Sequence, residues 1–441
     1  MLKKFGYVTS IVALILMVSN LLFAAEPAYP PVSGNVATID QVGTSKAIVI
    51  QTGNTNWVYV SQQGYNFPQT GGGWKLGAYI NQTGDNNIAK SVWTTTNDNN
   101  GVGIDQTGDS HKAYQYVGSY QQKTTSYSVM GLDIEQWGGN DNWAFQQTIA
   151  SFGSYGIQDM LIRQQGSDNF MNQLSVGGMA GKMESFQTGN SNDYDVSGKS
   201  VAGMASPLAL PWAHKPVLSL PSPGAGTPAG EYGQYQNARY GVATVNITGD
   251  SNHTAQYQEY RVWATSGAHK ATGAIIGGSN YLVQGQIGES NQAYSDIAGD
   301  ENIVWQSQDG DLNQSDISLT GDSNEAGTMQ LGDSNIAKYL VAGDANYIIG
   351  LSTGDSNNID VDVTGDANDI NIAQTGNSNG AKVDVVGNTN DVDVVQTGNS
   401  NASTTDINGS NNAATTTQTN NSNTGVINIT GNGNIGIVTQ L

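Results

Sequence analysis

Gly-x-x-Asn recurs at a fixed step of 11 residues from Gly277/Asn280 to Gly431/Asn434, 15 times without a slip. Only Asn420 replaces glycine in that series, and Asn is the non-glycine side chain that best tolerates left-handed backbone. A fixed period over this many units specifies a repeat architecture before any other feature is weighed. The true period is twice the step. Two residues before the glycines, Gln286, Gln308, Gln330, Gln374, Gln396, Gln418 and Gln440 fall 22 residues apart or a multiple of it, with Ser352 in one slot. Between them stand Ile275, Ile297, Leu319, Val341, Val363, Val385, Ile407 and Ile429. One unit is therefore 22 residues long and made of two similar strand–turn halves.

Within each half the pattern has period two. After Gly387, the residues Asn390, Val392, Val394 and Gln396 fall on one face and Asp391, Asp393 and Val395 on the other. That alternation marks a strand with one buried side. Two halves make one flat coil, and coils stacked about 4.8 Å apart give two parallel sheets. The expectation is an all-β, amyloid-like parallel β-solenoid. Buried amides fit it, because identical carboxamides stacked in register donate to one neighbour and accept from the other. The predicted ladder comprises the seven glutamines together with Asn335, Asn357, Asn379 and Asn401. Gly332, Gly354, Gly376 and Gly398 are the predicted turn residues, since glycine reaches positive φ at no steric cost.

The start of the chain has a different character. Lys3 and Lys4 precede an apolar run from Val8 to Phe23 and then Ala24-Ala25, the three regions of a secretory signal peptide. Residues 1–25 are expected to be removed and the remainder secreted, because no later segment is long and apolar enough to span a bilayer. The absence of cysteine means that no disulfide supports an exported fold. With 37 acidic against 16 basic residues, nucleic acid is excluded as a partner, since phosphate binding needs a basic surface.

Less regular copies of the unit precede residue 277. Examples are Gln51-Thr-Gly53, Gln82-Thr-Gly84, Gln106-Thr-Gly108, Gln136-Trp-Gly138, Gln165-Gly166 and Gln187-Thr-Gly189. Their uneven spacing implies loops inserted on one edge of the rungs. The largest insertion, 200–235, holds six of the 10 prolines, which interior strands exclude; it reads as a protruding loop or a linker. The expected organisation is an irregular solenoid over 26–199, that insertion, transitional rungs over 236–276, and the regular array over 277–441. All tryptophans except Trp305 precede the regular array. They serve either as packing over irregular rungs or as loops that meet glycans or partner surfaces.

Gln-x-Gly-x-x-Asn with a small residue two positions on, at this spacing, resembles the curlin repeat of the bacterial curli fimbriae. Gln82-Thr-Gly84-Asp-Asn-Asn87-Ile-Ala89 and Gln374-Thr-Gly376-Asn-Ser-Asn379-Gly-Ala381 carry it best. Here Asn replaces the family's Ser six residues before the Gln, and aliphatic residues replace its second Gln column. The resemblance implies a secreted fimbrial subunit that stacks end to end into extracellular amyloid for biofilm matrix and surface adhesion. It also implies curli-type outer-membrane secretion and nucleation proteins as partners.

The rung edges decide whether such a solenoid polymerises, because a first or last rung exposes unpaired backbone. The sequence continues its pattern to Gln440 with no helix, proline or charge that would block it. One residue after the glycines, Asp300, Asp311, Asp322, Asp333, Asp344, Asp355 and Asp366 form two acidic columns, expected to be cation-sensitive and to slow stacking by repulsion. No Ser/His/Asp set, metal-ligand spacing or cofactor motif occurs, and between 277 and 441 the only basic residues are Lys338 and Lys382. Neither catalysis nor a cofactor is therefore expected. The rival expectation is a non-polymerising surface adhesin whose solenoid is a stalk for aromatic loops.

Overall fold

The computed structural model describes residues 34–42, 47–63, 77–94, 100–119, 130–150, 158–176, 181–192, 233–237, 241–259 and 268–441. The predicted leader and nearly all of the Pro-rich insertion lie outside them. The described chain is all-β, with 31 strands in two parallel sheets of 16 and 15 strands. Successive strands alternate between the sheets, so that each strand pairs with the next but one along the chain. This is the β-solenoid expected from the repeat.

The register over the regular array is 22 residues throughout. Tyr281 pairs with Ile303, which pairs with Glu325, then Tyr347, Asp369, Asp391, Ala413 and Ile435. In the other sheet Gln292 pairs with Gln314, then Ile336, Asn358, Gly380, Ala402 and Thr424. Upstream the rungs are longer, yet the pairing holds: Gln51 aligns with Gln82, Gln106 and Gln136. The sheets also run across the Pro-rich insertion, since the strand Gly181–Thr188 pairs with Val242–Thr248 on its far side.

Alternate residues of every strand in the array point inward. In Asp391–Thr397, Val392, Val394 and Gln396 are buried while Asp391, Val395 and Thr397 are exposed. The core is thus a narrow strip of Ile, Val, Leu and Ala running the length of the axis, closed at both turns by amides. Each rung needs only its neighbours to bury this strip, so length adds stability without enlarging a globular core. Alternation therefore dictates the local strand, and the fixed rung length dictates the stacking.

The turns contain two left-handed residues, one more than the glycine column announces. Gly376 has φ +114° and Ser378, two residues on, has φ +59°. A β-carbon on Gly376 would lie 2.0 Å from the carbonyl oxygen of Gly398 on the next rung. Close rung approach thus demands glycine there, while the second position accepts Ser, Ala or Thr in the same region. Asn420, the one substitution in the glycine column, keeps a positive φ of 82°.

Candidate functional site: the stacked amide files

Three files of glutamine run parallel to the solenoid axis. The predicted one is continuous from Gln236 to Gln330: each Nε2 donates to the Oε1 of the next rung at 2.9 Å, through Gln258, Gln286 and Gln308. Ser352 interrupts it, its hydroxyl donating to Gln374 Oε1 at 3.3 Å. The file then resumes through Gln396 and Gln418 to Gln440. A second hydrogen of each Nε2 reaches a main-chain carbonyl across the turn, as from Gln396 to Gly380 at 2.9 Å. Where glutamine follows glutamine, both amide hydrogens and the oxygen are therefore used, which is what makes a buried carboxamide tolerable.

A second file occupies the opposite sheet upstream: Gln51, Gln82, Gln106, Gln136, Gln164 and Gln187, linked at 2.8–3.0 Å. Gln164, not Gln165, holds the slot, because only Gln164 points inward. The upstream copies are thus not one column with the downstream ones. Gln187 pairs with Ile247, from which that sheet carries aliphatics, and the glutamines move to the other sheet at Gln236. An amide file satisfies itself along the axis, so it can occupy either sheet whatever faces it.

The third file was not anticipated from the repeat. Gln115, Gln146, Gln173, Gln234, Gln256, Gln284 and Gln306 are joined at 2.6–3.1 Å in the middle of the 16-stranded sheet. Its signal was a Gln four residues after the turn Asn, hidden because it stops at Gln306 and is followed by Thr328, Gly350 and Ile372.

Asparagines form one file at each turn. Asn335 Oδ1 accepts the backbone N–H of Asn357 at 3.0 Å, and its Nδ2 donates to the Gly354 carbonyl at 2.8 Å. Asn357, Asn379 and Asn401 repeat this with Gly376, Gly398 and Asn420. Each Asn thus ties its own turn to the rungs on either side. His111 and His269 fill Asn slots in the two files, both with no exposed surface. Of the other histidines, His253 stacks on Tyr281 with ring centroids 4.5 Å apart, and His214 lies outside the described residues.

The acidic columns join this network instead of standing free in solvent. Asp322 Oδ1 accepts the backbone N–H of Asp300 at 2.8 Å, Asp344 accepts that of Asp322, and Asp366 that of Asp344. On the other edge Asp311, Asp333 and Asp355 do the same, starting from Glu289. Asn377 and Asn388 then take over the acceptor role without charge. Among the described residues no three His, Cys, Asp or Glu side chains converge as a metal site. Trp57, Trp93, Trp137, Trp143 and Trp305 lie on strands and not in loops, and Trp74, Trp212 and Trp263 fall outside the described residues. On the outer face, Trp143 contacts Phe170 at 5.3 Å between centroids, with the Lys112 ammonium 4.9 Å over the indole.

No curated protein matches the chain. The curlin-associated repeat matches residues 365–398, a span holding Gln374, Gln396, Asn368, Asn379 and Asn390 of the files described above. The same hydrogen bonds extend from this span along the array in both directions. The chain is thus a parallel β-solenoid that carries the curlin-associated repeat.

Proposed function

We propose that the protein is a curli-type structural subunit whose solenoid stacks on further copies of itself to form an extracellular fibril. The observation that carries this reading is the equivalence of successive rungs. The face that Gln374 and Asn379 present to the next rung is repeated, bond for bond, by Gln396 and Asn401. A rung that binds its successor by such a pattern is complementary to any copy of that rung, which is the basis of templated cross-β growth.

A structural instead of a catalytic role belongs to the same proposal: the interior is filled by aliphatics and by amides whose hydrogen bonds run along the axis. Biofilm adhesion, secretion through an outer-membrane pore and help from nucleation proteins are what the repeat family suggests for it. Seeding tests the reading. The purified chain is expected to bind an amyloid dye after a lag that sonicated fibres shorten, and to appear as long fibres by electron microscopy. Persistently dye-negative short rods would instead favour a stalk that does not polymerise.

A further inference from the structure

His111 and His269 occupy slots that asparagine fills on the neighbouring rungs. His111 lies between Asn87 and Asn142 in one turn file, and its Nδ1 accepts the backbone N–H of Asn142 at 3.3 Å. Its Nε2 faces the Thr107 carbonyl at 3.3 Å, the counterpart of the bond from Asn401 Nδ2 to Thr397. Its own N–H donates to Asn87 Oδ1 at 2.9 Å. His269 stands in the other file ahead of Asn291, whose N–H donates to His269 Nδ1 at 3.3 Å. Its Nε2 is buried near the Gly288 carbonyl and makes no hydrogen bond.

At both slots a neutral imidazole reproduces the acceptor that the carboxamide offers the next rung, and at His111 a proton on Nε2 also supplies the donor to a carbonyl. An imidazolium cannot, since Nδ1–H would then oppose a main-chain N–H. An asparagine in the slot has no such dependence on pH. We propose that His111 and His269 are acid-operated release points, which hold adjacent rungs together when neutral and part them when protonated.

The surroundings set the working range. Asp109 and Asp141 face His111, and Asp311 faces His269; these carboxylates favour the charged ring, but burial outweighs them. Burial lowers both histidines, His269 to about 4. Because the folded value lies below the unfolded one, the contribution is intact above pH 6.5 and fades as the pH falls towards 4. The array beyond Asn291 has no histidine, so the release is confined to the two slots and does not rest on fibril formation.

Hydrogen exchange on the full chain at pH 7.5 and pH 5.0 tests this. Protection of the Asn291 amide is expected to fall roughly 30-fold at the lower pH, from the linkage of a group with values of 6.5 open and about 4 closed. Protection at Asn142 is expected to fall with it, while Asn357 and Asn379 keep theirs. The double variant His111→Asn/His269→Asn installs the residue found in the adjacent slots and is expected to keep its protection at both pH values. A His253→Asn control is expected to respond as the natural chain does. Unchanged protection in the natural chain at pH 5.0, or an equal loss in the double variant, would overturn the proposal.

Discussion

Gly350 lies against Tyr339 across the solenoid interior: a β-carbon on the glycine would sit 1.9 Å from the tyrosine hydroxyl. Tyr339 is the largest fully buried side chain of the described residues. It faces the stretch where the middle glutamine file has ended, and burial holds its hydroxyl well above the usual phenol range. Gly350→Ala is therefore expected to overpack this rung, at a cost of about 1–3 kcal/mol. Tyr339→Phe in the Gly350→Ala background should recover part of the loss. Urea midpoints of the two variants and the double variant measure the coupling.

The glutamine file gives a second expectation. Gln396→Leu leaves an N–H of Gln374 and the oxygen of Gln418 without partners, which costs about 1–3 kcal/mol by the usual penalty for buried orphans. Replacing Gln374, Gln396 and Gln418 together by Leu should cost less than three times the single change, because the orphans disappear with their partners. Ile247 to Ile429 show that a sheet of this solenoid accepts an unbroken aliphatic column in the equivalent position. Denaturation of single and triple variants tests the non-additivity.

At the turns, hydrogen bonding and charge can be separated. Asp322→Ala removes the acceptor of the Asp300 N–H and is expected to destabilise by about 1 kcal/mol. Asp322→Asn keeps an acceptor, as Asn388 does on a later rung, while relieving repulsion of about 0.9 kcal/mol per neighbour at the rung spacing in water. It should be neutral or stabilising. If charge slows stacking, calcium at pH 7.5 and constant ionic strength should accelerate fibre growth of the natural chain. It should have little effect when Asp300, Asp322, Asp344 and Asp366 are all Asn. Equal rates in every case would remove the electrostatic brake.

Outer-face acids carry a pH dependence of their own. Burial, followed by the charge of Asp391, raises Asp393; burial and Asp391 likewise raise Asp369. Raised folded values mean that ionisation is less favourable in the folded chain, so stability falls as the pH rises through the carboxylate range and is regained in acid. Asp393→Asn should stabilise at pH 7 and have no effect at pH 3, the reverse of the dependence set by His269. Thermal midpoints at the two pH values distinguish them.

The architecture was legible because one spacing carried it: Gln374, Gln396 and Gln418 stack as their 22-residue separation requires. The register of the upstream rungs was less legible, since inserted residues change the spacing without changing the pairing. Gln51 and Gln286 therefore looked equivalent in sequence although they belong to opposite sheets. The role of the aspartates was hidden for another reason. A turn acid reads as solvated until the backbone N–H one rung before it is placed within 2.8 Å, as for Asp300 and Asp322. The histidines were legible only in part: His111 visibly filled an Asn position, whereas His269, outside any intact motif, did not.

Cryo-electron microscopy of fibres grown from the purified chain tests self-stacking most directly. The account predicts parallel rungs at a spacing of about 4.8 Å that continue without a break from one copy into the next, with the two turn files in line across the junction. Fibres built by side-to-side contact of separate rods, with the rung edges left unpaired, would contradict it.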